Sequence, residues 1–217
     1  LDCYENPNLT ELNVKGCTRL EELDCSENSI LAKLDVSGCT GLKDLSCDNN
    51  PLLSSLNMSG CTVLENLDSS KNPSLKLDVT GCTELAQLYC EGSSLTEINV
   101  SKCTKLWRLD CQNNLFTELD VSKCTKLTSL YCYNNRLTQL DVSGCTELTW
   151  LLCNNNQLTE LDVSMTLKIS KYYLRCGDQK TSDGNDQVLT LTIVPEQQTR
   201  WNTMKNYPEN KNVTLKP

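Results

Sequence analysis

Fifteen cysteines, 28 carboxylates and no histidine make up the reactive inventory of this 217-residue chain. Fourteen of the cysteines fall on two fixed phases. One series is Cys3, Cys25, Cys47, Cys90, Cys111, Cys132 and Cys153, with Ser69 in the vacant step; the other is Cys17, Cys39, Cys61, Cys82, Cys103, Cys124 and Cys145. Cys176 stands apart near the C-terminus. Four kinds of chemistry are open to such thiols: disulfides, a metal array, a nucleophile, or burial as small apolar groups. A cysteine nucleophile here lacks its usual imidazole base. Zinc sites gather their ligands at CxxC-like spacing and usually recruit histidine, so neither a metal nor a cofactor is expected. Rung-to-rung disulfides need even numbers, and each series has seven members. In-register side chains also point the same way instead of toward one another. Packing is the preferred reading, because a free thiol behaves as a small hydrophobe.

Both phases belong to a repeat. Copies of LxxLxCxxN begin at residues 20, 42, 64, 85, 106, 127 and 148, after an incomplete LDCYEN at 1–6. The period is 22 residues for two steps and 21 for the next four. A second block, LDVSGCT in its commonest form, lies between successive copies. Side chains alternate along a strand, so Leu130 and Cys132 face inward while Ser129, Tyr131 and Tyr133 face out. Stacked coils would lay Asn6, Asn28, Asn50, Asn72, Asn114, Asn135 and Asn156 over one another, bonding backbone groups where the chain turns. Ser93 replaces the asparagine once. The pattern is that of LxxLxLxxNxL with cysteine at the third leucine, which predicts a leucine-rich-repeat solenoid with a parallel sheet over residues 1–166.

Beyond Thr166 the pattern stops. LKISKYYLRCG reads as a last, imperfect coil and QKTSDGND as a polar loop. QVLTLTIV alternates like a strand, PEQQTRWNTMKNY opens a helix on proline, and NVTLK reads as a final strand. Residues 167–217 are therefore expected to form a short strand–helix–strand cap over the last apolar layer. This segment holds eight Lys/Arg against five Asp/Glu, so the acidic surplus of the chain, net −8, lies in the repeats. No basic stripe suited to nucleic acid is present. No apolar run reaches membrane-spanning length, so this fragment is not expected to insert in a bilayer. The chain begins in mid-motif without methionine, which reads as a mature or trimmed fragment.

The combination LxxLxCxxNxLTxLDVSxCTxL with a 21-residue period resembles the cysteine-ladder, internalin-J-like branch of the bacterial internalins. The resemblance covers residues 1–166 and implies a right-handed, β-rich horseshoe on a secreted or surface-anchored adhesion protein. Two features depart from it. The CT series stands where that family usually carries asparagine, giving a double ladder. The C-terminal segment does not match the immunoglobulin-like domain that follows internalin repeats and looks more like the short endings of leucine-rich surface proteins from gut-type bacteria.

Outward positions of the LxxLxCxxN strands form the concave face, the usual binding surface of solenoids. Down the stack these positions pass from acids to aromatics. Tyr89, Arg108, Tyr131, Tyr133, Trp150 and Leu152 fall on one face, and aromatics beside an arginine are what binding hot spots favour. The competing reading is that aromatics simply suit strand positions and stack across coils. A further column, Asp35, Asp78, Asp120, Asp141 and Asp162 with Asn13, Asn57 and Asn99, could offer oxygen ligands to calcium. Bonding to nearby backbone N–H groups is preferred, since asparagine substitutes freely there. The leading expectation is a monomeric, non-enzymatic extracellular or cell-surface-anchored module that binds a host protein or glycan. The alternatives are an accessory or carbohydrate-active enzyme domain acting on glycans, or a passive spacer. A repetitive face of near-equivalent aspartates offers no unique acid–base pair for hydrolysis, so no catalytic residue is assigned.

Overall fold

A computed structural model describes residues 1–169 and 173–216. Residues 170–172, inside the stretch read as a last imperfect coil, lie outside the described residues. In chain order the strands of the repeats are β1 (Glu22–Asp24), β2 (Lys33–Asp35), β3 (Asp44–Ser46), β4 (Ser55–Asn57) and β5 (Asn66–Asp68). They continue with β6 (Gln87–Tyr89), β7 (Arg108–Asp110), β8 (Ser129–Tyr131), β9 (Trp150–Leu152) and β10 (Glu160–Asp162). The C-terminal segment adds β11 (Leu174–Arg175), β12 (Gln179–Lys180), β13 (Asp186–Gln187), β14 (Leu189–Thr192), helix α1 (Pro195–Met204) and β15 (Val213–Leu215).

The chain is a parallel β-solenoid. Its main sheet has eight strands in the order β1-β3-β5-β6-β7-β8-β9-β11, and Asp2 adds a bridge to Asp24 at the open end. Every pair is in register, so Leu23, Leu45, Leu67, Leu88, Leu109, Leu130, Leu151 and Leu174 stack as one inward row. These leucines are buried, each contributing roughly 1.5–3 kcal/mol by leaving water. All fifteen cysteines are free thiols. Cys25 Sγ of the first series donates to the Ser46 carbonyl of the next coil, and Cys39 Sγ of the second to the Val14 carbonyl of the preceding one.

The asparagine ladder takes the expected place and does two jobs at once. Asn50 Nδ2 donates to the carbonyls of Cys47 and Cys25, on its own coil and the preceding one, while its Oδ1 accepts the Asn28 N–H. The residue before each rung is left-handed, at φ near 55° for Glu27, Asn49, Lys71, Asn113, Asn134 and Asn155. Where the period falls to 21, one residue is lost between the asparagine and the LDV block. There the asparagine Oδ1 accepts the N–H two residues past the preceding rung, as from Leu95 to Asn114 and Phe116 to Asn135. In the 22-residue coils the LDV blocks pair as β2 and β4; in the 21-residue coils the shorter path carries them past without strand pairing until β10.

The C-terminal segment corrects one expectation. Cys176 does not stand apart: it is fully buried and sits in the first thiol column, two residues after Leu174 of β11. Its coil takes 23 residues instead of 21, and Gln179 replaces the asparagine rung. Gln179 Nε2 donates to the Cys153 and Cys176 carbonyls, and its Oε1 accepts the Leu158 N–H. Thr166 likewise fills the second thiol column, its hydroxyl donating to the Val163 carbonyl. The expected strand, helix and strand form at β14, α1 and β15. β14 and β15 extend the LDV stack from β10 in parallel register, while α1 buries Gln197, Trp201 and Met204. Gln197 Nε2 donates to the Val163 carbonyl, fixing the helix over the last coil. Asn210 closes the exposed edge of β11 by donating to the Leu174 carbonyl and accepting the Cys176 N–H. That approach requires Gly177, because a Cβ there would meet the Asn210 backbone at 2.6 Å. No helix among the described residues is long and apolar enough to cross a membrane.

Candidate functional site

Strand parity places all six candidate residues at outward positions of the main sheet. They fall in three rows. Arg108, Ser129 and Trp150 lie in one; Tyr89, Asp110, Tyr131 and Leu152 in the next; Glu91, Gln112, Tyr133 and Asn154 in the third. All six candidates are half-buried, because each ring or stem packs against the coil beside it.

Arg108 organises the centre. Its guanidinium lies 4.9 Å from the Tyr89 ring centroid and 5.1 Å from that of Tyr131, spanning two coils. Nη2 also donates to Asp110 Oδ2 at 2.9 Å. In-register pairing puts Asp110 between Tyr89 and Tyr131, so the arginine bridges the trough in which its own ion-pair partner sits. Cation–π contacts of this kind contribute about 0.5–1 kcal/mol each where partly exposed. Burial pushes the Asp110 carboxyl above its usual range; Arg108 opposes that shift, and Glu91 and Asp68 add to it. Burial also raises the Tyr89, Tyr131 and Tyr133 phenols.

The aromatic row runs on from there. Tyr131 and Trp150 have centroids 6.4 Å apart at an interplanar angle of 40°, and Trp150 stacks on Tyr173 at 18°. Tyr173 escaped sequence reasoning because its coil lacks an LxxL lead and is two residues longer, although its phase to Cys176 is the phase of Trp150 to Cys153. Leu152 continues the row of Tyr131, and Tyr133 lies in the adjoining one.

The aspartate column has a different role. Asp35 Oδ1 accepts the Ser37 N–H, and the same contact recurs at Asn57, Asp78, Asn99, Asp120, Asp141 and Asp162. Hydrogen bonds from the following Ser or Thr hold Asp35, Asp78, Asp120 and Asp141 below the usual carboxylate range. No group of three or more metal-ligating side chains converges among the described residues.

Similarity to solved structures extends over the whole chain. It is similar to the functional domain of InlJ from Listeria monocytogenes, which includes a cysteine ladder, at 26% identity and a TM-score of 0.56. That match covers 99% of this chain and 58% of the other. The architecture is the leucine-rich-repeat solenoid in its cysteine-ladder form. An internalin, InlF, from the same bacterium shares the fold at 17% identity and a TM-score of 0.53, over 88% of this chain and 74% of its own. The plant peptide hormone receptor RGFR1, solved in complex with RGF2, does so at 18% identity and a TM-score of 0.52, over 82% of this chain and 38% of the receptor. The repeats thus span less than two thirds of the InlJ and receptor chains. No family model and no curated protein matches the sequence.

Proposed function

We propose that this chain is a non-enzymatic recognition module, secreted or anchored at a cell surface, that captures a host protein or glycan on its concave face. The observation that carries the proposal is the continuous row Tyr89–Arg108–Tyr131–Trp150–Tyr173, five half-open side chains touching across five coils. Rigid rings held by neighbours present large contact area with little entropy left to lose on binding. The solenoid fold of receptors such as RGFR1, solved with its peptide hormone, supports the use of such a surface for protein or peptide ligands. In this reading residues 1–166 are the repeats and residues 167–217 the closing cap. The module acts as a monomer, with Tyr133 and Leu152 flanking the row.

The test is a Tyr131→Ala/Trp150→Ala double variant, assayed on an array of mucins, host glycans and matrix proteins. Removing one such anchor costs about 2 kcal/mol or more where it is a hot spot, so capture falls at least about thirtyfold even if only one of the two is, while circular dichroism is unchanged. Capture equal to wild type by the folded variant refutes the assignment.

A further inference from the structure

The other half of the concave face has a chemistry that the aromatic row does not use. Outward positions on the main-sheet coils of β1, β3, β5 and β6 carry Glu22, Asp24, Asp44, Asp48, Asp68 and Glu91, and no lysine or arginine occupies such a position of this sheet before Arg108. None of these side chains is buried. Their hydrogen-bond partners are neutral: Asn66 for Asp44, Asn49 for Asp48, backbone and hydroxyl of Ser26 for Asp24, and Ser70 for Asp68. Burial and the charges of Asp68 and Asp24 together push the Asp48 carboxyl upward. Positions off the sheet do the opposite. Glu21 is bridged by Lys43 of the next coil, and elsewhere off the sheet Glu84 by Lys105 and Glu147 by Lys168. Cross-coil neutralisation is thus available to this repeat and is absent from its concave acids.

A second observation lies at the inner end of this acidic field. Asp110 Oδ1 and Gln112 Oε1 belong to buried residues, 7% and 6% exposed, and neither oxygen has a hydrogen-bond partner. These two acceptors outnumber the one unpaired donor beside them, Arg108 Nε, and Gln112 spends its amide donor on Glu91. A buried acceptor left unpaired costs about 1–3 kcal/mol. The acidic field wants positive charge and the trough wants a donor for its two oxygens, and a cationic N–H group supplies both. A single divalent ion does not meet it, because the carboxylates are spread over five coils at about 4.8 Å per step and do not converge.

We propose that β1 to β7 dock a lysine- and arginine-rich segment of a protein partner in extended form, its cations over the carboxylate rows and one donor-bearing side chain reaching the Asp110–Gln112 trough. The proposal rests on the concave face being the binding surface and adds the chemistry of the partner. From β1 to β7 is about 19 Å, which roughly six residues of extended chain span.

A fluorescently labelled oligolysine of about ten residues, long enough to cover that span, is the probe. An oligoglutamate of equal length serves as control. Anisotropy is read at about 20 mM and about 300 mM salt. Wild type is compared with Asp24→Asn/Asp48→Asn/Asp68→Asn, which keeps the accepting oxygens of those turns, and with the Tyr131→Ala/Trp150→Ala variant. The expected result is sub-millimolar oligolysine binding at low salt, at least about tenfold weaker in the triple variant and weaker at high salt, with no oligoglutamate binding. Absence of oligolysine binding at low salt, or equal binding by the triple variant, overturns the proposal, and so does salt-insensitive binding. Array capture lost in the aromatic variant alongside no oligolysine binding refutes this inference and leaves the aromatic site standing. The reverse pattern refutes the aromatic site and leaves this one.

Discussion

Raising the pH past the ordinary thiol range will unfold this protein in one cooperative step. The first-column thiols Cys25, Cys47, Cys90, Cys111, Cys132, Cys153 and Cys176 are at 0% exposure. Burial pushes each above the ordinary value of 9.0, Cys153 to about 12. In the unfolded chain the same thiols ionise near the ordinary value. The folded pKa is the higher one, so their contribution to stability is whole below the unfolded pKa and is lost as pH climbs toward the folded one. One pH unit above the unfolded pKa removes about 1.4 kcal/mol per thiol, so at about pH 10 these thiols together remove roughly 10 kcal/mol. A folded domain holds about 5–15 kcal/mol in total. The second column acts in the same direction, with Cys103 and Cys145 raised to about 11 and Cys82 and Cys124 to about 12. The assay follows thiolate ultraviolet absorbance and far-ultraviolet circular dichroism on one sample, titrated upward under reducing conditions. The two signals should change together, over less than about one pH unit around pH 10. Thiols that titrate gradually while the circular dichroism holds would show that the rungs are not sealed, and the packing account would fail.

Two further perturbations probe the turns. Asn50→Ala strands the Asn28 N–H and leaves the Cys25 and Cys47 carbonyls short of a donor, at about 1 kcal/mol per bond. The urea midpoint should drop by the equivalent of roughly 3 kcal/mol, and a loss below about 1 kcal/mol contradicts the ladder's role. Lys71 holds φ at 56° where Asn113, Asn134 and Asn155 hold the same conformation. Lys71→Asn should therefore stabilise by about 0.5 kcal/mol, since asparagine tolerates the left-handed region better; a lower urea midpoint would count against strain at that turn.

The interior was legible in the sequence because each inward position repeats the same demand. Leu130, Cys132 and Asn135 are set by strand parity and by one unpaired turn, and any coil of the stack poses that problem again. The C-terminal strand and helix were readable for local reasons, alternation in LTLT and proline at the first helical position. What escaped was how the last, imperfect coil continues the columns, with Cys176 in the first thiol series. It keeps every inward contact but changes the residue types that make them, Gln179 for asparagine and Thr166 for cysteine. It also lengthens the step to 23 residues, so periodicity lost its register while hydrogen bonding kept it. Tyr173 was missed with it. The ion pair of Arg108 with Asp110 was equally invisible, since parity places both on one face but cannot say which way a long side chain folds.

The same regularity concentrates specificity in few places. Leucine, thiol and asparagine columns are nearly invariant along the stack, so they carry no information about a partner. The Asx turns are likewise satisfied within their own coils, by Ser37 for Asp35 and Ser122 for Asp120. Variation is confined to the outward rows, and there it is ordered: carboxylates on neutral partners through β6, an arginine caged between two tyrosines at β7, then Tyr131, Trp150 and Tyr173 in contact. A random surface would mix charges, as the Glu21–Lys43 side of the same coils does. Segregation of like charges on a parallel sheet costs self-repulsion that only an opposite charge from outside relieves. An acidic end and an aromatic end, fixed about 20–30 Å apart by coil spacing, give the face a polarity, so a partner that satisfies both ends can bind in one direction only.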